Sequence, residues 1–214
     1  MEKIVALTFD DGPNTTTTVQ VLDVLKKYGI KATFFLIGDR ITQESAESVK
    51  RAIAMGCEIE NHSWTHSFMT KLEPQVIKDE IKRTSDKIEE ITGRRPEFFR
   101  PPYIEVSRMM VDNIDLPFIC GVNGLDWEPE VMAKERAELV LENVGDGEVI
   151  LLHDMEGNDE TVKALDIIIP ELMKNSFEFV TVSELFKRKG IEPKIHSGIV
   201  YTDVLQTEEF EYQD

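Results

Sequence analysis

The chain has 214 residues, of which 41% are hydrophobic, and this is enough for one globular domain with a sizeable core. Its formal net charge is −17, with 41 acidic and 24 basic side chains, so an extended contact with nucleic acid or with an anionic membrane surface would be repulsive. We therefore expect a neutral substrate, no nucleic-acid partner and no membrane partner. The oligomeric state stays open.

Two cysteines, Cys57 and Cys120, lie in apolar stretches. Without a multi-cysteine pattern, they favour reduced, buried thiols over a disulfide, and their role in function stays open. The sequence enters an apolar strand directly, without a signal peptide, and no later stretch is long enough to span a bilayer. We expect a cytoplasmic protein if this is the native start, and a secreted one if an export signal has been removed.

Short apolar runs alternate with amphipathic stretches along most of the chain. In chain order, they predict strands at 3–9, 31–37, 57–61, 97–100, 117–122, 148–153 and 177–181. Between them, apolar residues at helical spacing predict helices at 15–28, 43–55, 73–92, 133–144, 159–174 and 183–189. The clearest apolar stripe is that of 73–92, which consists of Val76, Ile77, Ile81, Ile88 and Ile91.

This alternation predicts an α/β fold with a mostly parallel sheet and helices outside, since parallel strands need crossover connections. Six or seven such units can close or nearly close into a barrel, in which ligands gather at the carboxyl ends of the strands. The pattern ends near residue 190. We therefore predict one catalytic domain over 1–190 and a polar, acidic C-terminal tail over 191–214, packed on the surface or disordered.

Reactive side chains stand at the C-terminal ends of the predicted strands. In chain order, these side chains are Asp10 and Asp11, His62 and His66, Arg100, Asp126 and Trp127, and His153 and Asp154. Because the carboxyl ends of barrel strands meet at one rim, we expect these residues to converge on a single site.

The segment NHSWTH places His62 and His66 four residues apart, so both imidazoles can face one point on a helical turn or a tight loop. Two imidazoles and one carboxylate are the usual three-ligand set of a catalytic zinc site, in which a fourth position stays open. The alternative is a pair of hydrogen-bonding loop histidines without a metal. We expect His196, in the predicted tail, to be structural or at the surface.

The stretch LTFDDG ends a strand with two adjacent carboxylates, Asp10 and Asp11, which repel each other. A bound cation would neutralise one and keep the other ionised, so one aspartate can be a ligand and the other a base. The alternative is an ordinary Asp-Gly-Pro turn. Taken alone, Arg100 could be a surface ion pair, Trp127 a core aromatic and His153 a capped strand end.

Five short blocks together resemble the polysaccharide deacetylases of carbohydrate esterase family 4, the NodB-homology domain. The blocks are TFDDGP at 8–13, NHSWTH at 61–66, RPPY at 100–103, LDW at 125–127 and LLHD at 151–154, in the family's order. The resemblance covers roughly residues 3–190 and implies a distorted (β/α) barrel of about seven parallel strands with helices outside. It also implies a metal-dependent hydrolase that removes acetyl groups from a carbohydrate.

Carried over position by position, the resemblance implies that Asp11, His62 and His66 bind one divalent metal, Zn²⁺ or alternatively Co²⁺. Asp10 would be the general base that activates water. Arg100 would pair with Asp10, keeping it ionised and aligned. Each role agrees with the general chemistry of metal-assisted hydrolysis.

The same resemblance implies that His153 is the general acid for the leaving group, with Asp126 holding its imidazole and favouring the protonated form. Tyr103 would offer its backbone N–H to the tetrahedral oxyanion, where charge develops. Trp127 and Leu151 would shape the groove around the acetyl methyl group.

Two positions depart from the family's commonest pattern. Ile104 stands where a glycine often follows RPPY, and Asn123 stands at the first position of the usual DxxDW block. Because Ile104 resists positive φ, we expect the loop that carries the Tyr103 N–H to take another path and to reshape the groove. Asn123 removes a charge near the predicted acid pair.

The segments after RPP look most like the acetylxylan-esterase branch of the family. We therefore expect O-acetyl groups on xylan or xylo-oligosaccharides as the substrate, with N-acetylglucosamine polymers, chitin or peptidoglycan, as the alternative. A non-catalytic carbohydrate-binding descendant is disfavoured because ligands, base and acid are all present. A phosphate-ester hydrolase is disfavoured by the single-metal ligand set and by the absence of a basic phosphate cradle in the sequence.

Overall fold

The computed structural model describes residues 3–205, which form eight strands and seven α-helices. In chain order these are β1 (Lys3–Asp10), α1 (Thr17–Tyr28), β2 (Thr33–Leu36), α2 (Ala46–Ala54), β3 (Glu58–Asn61), α3 (Pro74–Thr92), α4 (Arg108–Asn113), β4 (Phe118–Ile119), β5 (Val122–Asn123), α5 (Ala133–Asn143), β6 (Val149–His153), α6 (Asp159–Lys174), β7 (Phe177–Val180), α7 (Val182–Lys189) and β8 (Val200–Tyr201). The predicted α/β class is confirmed, and all ladders between these strands are parallel.

The strands form one sheet of six and one of two. The larger sheet has the order β3-β2-β1-β6-β5, with β7 also paired to β1, and the smaller sheet pairs β4 with β8. Phe99 links the two sheets through parallel bridges to Asn61, at the end of β3, and to Phe118 of β4. The strands therefore curve into the distorted barrel that the sequence predicts.

The central strand β1 contributes to two apolar clusters because successive side chains of a strand point to opposite faces. The odd-numbered residues of Val5–Phe9 pack in an outer cluster with side chains of α1 and α6. Ile4 and Ala6 pack in an inner cluster with side chains of β4, β8 and α7. The same alternation directs Asp10 towards the barrel interior, at the C-terminal end of the strand.

Two predicted strands are shorter or broken in the structure. The segment 97–100 has only the bridges at Phe99, because Pro96, Pro101 and Pro102 flank it and lack the N–H that a ladder needs. The segment 117–122 divides into β4 and β5.

The helices differ from the prediction in two respects. The short helix α4 was not expected, and Val76 of the predicted α3 stripe is 43% exposed. The buried face of α3 instead consists of Ile77, Glu80, Thr84, Ser85 and Ile88. None of the helices within residues 3–205 combines the length and the hydrophobicity that a membrane span needs.

The segment predicted as a peripheral tail contributes to the core. Ile199, Val200, Tyr201 and Val204 are buried, and β8 pairs with β4. The prediction of a surface or disordered tail is therefore wrong for 199–204, since an apolar strand too short to give a periodic pattern lies there. Residues 206–214, which contain most of the acidic end, lie outside the described residues.

Both cysteines are free thiols, as the sequence predicts. Cys57 is buried. Cys120 is only half-buried, because it follows β4 at the rim of the barrel and borders the cavity described below.

Candidate active site

The carboxyl ends of the strands bring the predicted residues together. Asp10 is the register partner of His153, because β1 and β6 pair in parallel up to their last residues. His62 directly follows β3, and Arg100 directly follows the bridges at Phe99. Convergence at one rim, predicted from the sequence, is what the parallel ladders produce.

A cavity of about 390 Å³ opens at this rim. Its lining consists of Asp10, Asp11, His62, His66, Pro101, Tyr103, Ile104, Cys120, Asn123, Trp127, Leu151 and His153. Two predicted site residues, Arg100 and Asp126, do not line the cavity but lie beneath it, with 0% and 1% of their surface exposed. Each contacts a residue that does line the cavity.

Asp11, His62 and His66 form a cluster whose candidate ligand atoms all lie within 4.8 Å of one another. Asp11 Oδ1 is 3.6 Å from His62 Nε2 and 3.3 Å from His66 Nε2. This oxygen is buried and has no hydrogen-bond partner within residues 3–205. A buried carboxylate oxygen without a partner is destabilising, so the donor set fits a divalent cation that would complete it.

Both imidazoles can present a lone pair to such a cation. His62 Nδ1 donates to the carbonyl oxygen of Arg100 at 2.7 Å, so the neutral ring carries its lone pair on Nε2, which faces Asp11. Burial, and then the charge of His62, lowers the pKa of His66 to about 4. Burial alone would raise the pKa of Asp11, but the neighbouring imidazoles of His62 and His66 hold it well below its usual range.

The loop that carries the two histidines is held by α3. Glu80 Oε2 accepts hydrogen bonds from the backbone N–H groups of Trp64, at 2.9 Å, and Thr65, at 2.8 Å. The hydroxyl of Thr65 donates to Glu80 Oε1 at 2.9 Å. The sequence reasoning missed Glu80. Its signal is a carboxylate on the otherwise apolar or hydroxyl-bearing face of α3, between Ile77 and Thr84.

The turn after β1 packs tightly on the residue after His153. A Cβ atom at Gly12 would lie 2.7 Å from Asp154 Oδ2, so only glycine fits. The backbone N–H of Asp154 donates to the carbonyl oxygen of Asp10 at 3.0 Å. Asn14 Nδ2 donates to the carbonyl oxygen of Asp154 at 2.7 Å, and burial raises the pKa of Asp154 to about 7. Sequence reasoning gave Asp154 no role, whereas the structure makes it a support of this turn.

Arg100 is fully buried against Asp10, so the alternative of a surface ion pair is wrong. Its Nη1 donates to Asp10 Oδ1 at 2.6 Å and to Thr8 Oγ1 at 2.8 Å. Its Nη2 donates to the carbonyl oxygen of Cys120 at 2.7 Å, and the guanidinium lies 4.1 Å from the centroid of the Phe35 ring. The arginine thereby compensates the buried charge of Asp10 and fixes the orientation of its carboxylate.

His153 and Asp126 form the second ion pair of the site. His153 Nδ1 donates to Asp126 Oδ1 at 2.8 Å, and the backbone N–H of His153 donates to Oδ2 at 2.7 Å. Thr161 Oγ1 also donates to Oδ2, at 2.7 Å. Burial alone would lower the pKa of His153, but the hydrogen bond and charge of Asp126, with the charges of Asp10 and Asp11, raise it to about 9. The imidazole is therefore protonated at neutral pH.

Aromatic side chains form two walls of the cavity. Trp127 is 41% exposed, and its ring centroid lies 5.7 Å from that of His153, so the alternative of a core aromatic is wrong. Tyr103 is 52% exposed, and its ring centroid lies 4.6 Å from that of His66. Leu151 is buried at the base.

The backbone at Tyr103 and Ile104 differs from what the sequence led us to expect. Tyr103 has φ +59° and Ile104 has φ +55°, so the isoleucine adopts the positive φ that we expected it to avoid. The backbone N–H of Tyr103 has no hydrogen-bond acceptor within residues 3–205. It is therefore free to donate to a ligand.

The site combines three candidate ligands of one metal ion with the buried carboxylate of Asp10 and the protonated imidazole of His153, and all of them face the same cavity. Metal-assisted hydrolysis with acid–base catalysis needs these groups together. The geometry therefore defines a hydrolase-type metal site at the carboxyl ends of barrel strands.

Comparison with known proteins identifies the family. The family model for polysaccharide deacetylase matches residues 1–115. The chain is 50% identical, over 198 residues, to the bifunctional xylanase/deacetylase of Pseudobutyrivibrio xylanivorans, a match that covers 92% of this chain and 33% of that protein. It is 39% identical, over 185 residues, to the peptidoglycan-N-acetylmuramic acid deacetylase PdaC of Bacillus subtilis, covering 86% of this chain and 39% of that protein. The chain belongs to the polysaccharide deacetylase family.

A solved structure matches the fold over nearly the whole chain. The family 4 acetyl xylan esterase from Clostridium thermocellum, in complex with a cobalt ion, has a TM-score of 0.92 at 43% identity and covers 95% of this chain and 100% of that chain. The curated relatives described above are longer, and this chain spans only 33% and 39% of their lengths.

Proposed function

We propose that this protein is a metal-dependent hydrolase that removes O-acetyl groups from acetylated xylan or xylo-oligosaccharides. One observation carries the proposal: the unpartnered, buried Oδ1 of Asp11 faces two histidines in the same cavity that Asp10 and His153 line. A carbohydrate-binding module needs neither this cluster nor a protonated histidine opposite it.

Asp11, His62 and His66 would hold the metal, and Zn²⁺ is the ion we propose because two imidazoles and one carboxylate are its usual catalytic ligands. When bound, such an ion polarises the acetyl carbonyl and lowers the pKa of water to about 7. The carboxylate of Asp10, oriented by Arg100, accepts the proton of the attacking water.

The remaining residues act on the carbonyl oxygen and on the leaving group. As water adds to the acetyl carbon, the N–H of Tyr103 donates a hydrogen bond to the oxygen on which negative charge develops. When the ester C–O bond breaks, His153 donates its Nε2 proton to the departing sugar oxygen, and acetic acid forms. Asp126 holds the other ring nitrogen of His153, so that Nε2 faces the cavity.

Two observations support an ester of xylan as the substrate. The chain is 50% identical to a relative named as a xylanase/deacetylase, and it matches an acetyl xylan esterase over 95% of its length. Trp127 and Tyr103 both line the cavity and are exposed, so neutral sugar rings can pack on them. The second candidate is an amide deacetylase of N-acetylglucosamine polymers, which the 36% identity to the peptidoglycan-N-acetylglucosamine deacetylase PgdA of Listeria monocytogenes favours.

The test measures acetate release from acetylated xylotriose and from N-acetylated chitotriose in parallel. Each reaction contains the protein with zinc, with cobalt or with a chelator, and Asp10→Asn protein with zinc is the matched control. We expect release from xylotriose that the chelator abolishes and that either metal restores. Asp10→Asn should lower kcat about 10³-fold, because it removes the base.

The substrates separate the two candidates. Faster release from the chitotriose would make the protein an amide deacetylase. Release that survives the chelator, or that Asp10→Asn leaves unchanged, would contradict the proposed mechanism.

A further inference from the structure

Two consecutive residues at the mouth of the cavity have a left-handed backbone that their side chains disfavour. Tyr103 has φ +59° and ψ +8°, and Ile104 has φ +55°. For a bulky or β-branched residue such values are outliers, because Cβ crowds the following carbonyl oxygen. Strained residues persist where the surrounding structure constrains them strongly. Contacts around the turn must therefore hold it.

Hydrogen bonds within the turn do not fix its direction. The N–H of Ile104 donates to the carbonyl oxygen of Pro101 at 3.0 Å, and the N–H of Glu105 donates to that of Pro102 at 3.2 Å. Both bonds join residues of the same turn, so they would move with it. A contact that fixes the turn relative to the three candidate metal ligands therefore has to come from another segment.

The segment from His66 to Thr70 supplies this constraint, and its first contact is the edge of His66 against the Tyr103 ring, with centroids 4.6 Å apart. The ring of Phe68 stacks on that of Tyr103, with centroids 4.1 Å apart and planes inclined by 12°. Thr70 Oγ1 donates to Glu105 Oε2 at 3.0 Å, so a third contact joins the two segments.

Phe68 itself is exposed, yet it is held in place. It is 42% exposed, so burial of apolar surface does not account for its position. Lys71 Nζ lies 4.7 Å from the centroid of its ring, and its contact with Tyr103 fixes the ring plane.

We propose that Phe68 is a positioning residue, whose ring holds the strained Tyr103–Ile104 turn and thereby aims the N–H of Tyr103 into the cavity. The catalytic part of this inference rests on the proposed function, since it assigns that N–H to the acetyl oxygen. The structural part, that Phe68 and the strain at Ile104 depend on each other, does not.

The experiment is a double-mutant cycle with a conservative control. The variants are Phe68→Ala, Phe68→Tyr, Ile104→Gly, Ile104→Ala and the double variant Phe68→Ala/Ile104→Gly. Each is measured for Tm, for zinc affinity, and for kcat and KM on acetylated xylotriose. Ile104→Ala removes the side chain beyond Cβ, whereas Ile104→Gly also removes Cβ. The difference in Tm between these two variants therefore isolates the backbone strain.

We expect Ile104→Gly to melt about 2–4 °C above Ile104→Ala, because glycine adopts positive φ without strain. Phe68→Ala should lower kcat about tenfold, a fraction of the loss caused by removal of an oxyanion donor, with KM and zinc affinity nearly unchanged. Phe68→Tyr should keep kcat near the wild-type value, since it keeps the stacked ring. In the Ile104→Gly background the loss caused by Phe68→Ala should be less than about threefold, because a relaxed turn needs less support.

Three outcomes overturn the inference. They are an unchanged kcat in Phe68→Ala, an equal loss in both backgrounds, and a loss of zinc affinity that accounts for the loss of kcat. If the wild-type protein releases no acetate, the proposed function fails. The double-mutant cycle measured by Tm then still tests whether Phe68 supports the strained turn. Additive changes in Tm would contradict the structural part of the inference, and coupled changes would support it.

Discussion

The two histidine–aspartate groups of the cavity use the same residue types in opposite electrostatic settings. In the metal cluster, burial and then the charge of His62 lower the pKa of His66 to about 4. Across the cavity, Asp126, Asp10 and Asp11 overcome burial and raise the pKa of His153 to about 9. One imidazole is neutral and able to bind a metal, while the other carries a proton that it can donate.

The neighbouring charged groups explain the difference between the two pKa values better than burial does, because burial alone would lower both. His66 lies beside another imidazole, His62, and both rings face Asp11 Oδ1, while Asp10 Oδ2 lies 3.8 Å from His62 Nε2. His153 is paired with Asp126, whose carboxylate accepts hydrogen bonds from the ring Nδ1 and from the backbone N–H of His153. A carboxylate hydrogen-bonded to the ring of His153 and a second imidazole beside His66 therefore account for the opposite pKa shifts of the two residues.

The largest expected effect separates the two groups by metal content. Both His66→Ala and His153→Ala should lower kcat on acetylated xylotriose by about 10³-fold, since each removes a group that the proposed reaction requires. After dialysis, His153→Ala should retain stoichiometric zinc, whereas His66→Ala should not. Elemental analysis beside the kinetics checks this, and zinc loss in His153→Ala would contradict the division of roles.

Arg100 contacts both halves of the site, because it pairs with Asp10 and its carbonyl oxygen orients His62. Arg100→Met should lower the free energy of unfolding by about 3 kcal/mol, since it leaves a buried carboxylate without its partner. Arg51→Met is the matched control, because it removes a partly exposed pair with Asp23 and a long hydrogen bond, at 3.5 Å, to the carbonyl oxygen of Val19, and it should cost less than about 1 kcal/mol. Urea denaturation measures both, and equal losses would argue against a buried pair.

Asp126→Asn tests the origin of the raised pKa. It should lower kcat about 100-fold, because the acid loses its orienting carboxylate. In the wild-type protein, kcat should fall as pH rises through about 9, where His153 loses its proton. In the variant this alkaline limb should move towards the ordinary value of 6.5, and a pH–rate profile with an unmoved limb would exclude Asp126 as the cause.

The smallest effect is on the pH dependence of stability in the metal-free protein. The folded-state pKa of His153 lies above its ordinary value of 6.5, so its contribution is complete below pH 6.5 and is lost as pH rises through about 9. That of His66 lies below 6.5, so its contribution is complete above pH 6.5 and is lost as pH falls through about 4. Each contribution should be about 1–2 kcal/mol, roughly half of what the pKa difference alone would give, because both histidines line an open cavity in which solvent screens their partners.

Urea titrations of chelated protein across this range measure both contributions. His153→Gln should flatten the alkaline side of the stability profile and His66→Gln the acidic side. A variant that flattened the wrong side would contradict the assigned directions.

The sequence predicted the rim of the barrel because each reactive residue follows an apolar strand. That local pattern was sufficient for the α/β class and for bringing Asp10, Asp11, His62, His66 and His153 into one cavity. It was insufficient for contacts between distant segments. Glu80 supports the histidine loop from a helix, and its place on the buried face of α3 does not by itself reveal which backbone groups its carboxylate binds.

Backbone conformation was the least predictable feature. The preference of Ile104 for negative φ predicted another loop path, but tertiary contacts overrode it and left the strain in place. The same limit affected 199–204, where a strand of two residues gives no periodic signal and is stabilised only by its partner β4.

That last strand lies at the end of a path of three hydrogen bonds that leads to the proposed base. The carbonyl oxygen of Tyr201 accepts from the N–H of Cys120 at 2.8 Å, the carbonyl oxygen of Cys120 accepts from Arg100, and Arg100 donates to Asp10. A protein shortened to residues 1–190 would keep all five sequence blocks. It would still lose the hydrogen bond between Cys120 and Tyr201, which holds the carbonyl group that Arg100 contacts. We therefore expect the minimal catalytic unit to extend beyond residue 190, although all five sequence blocks end before it.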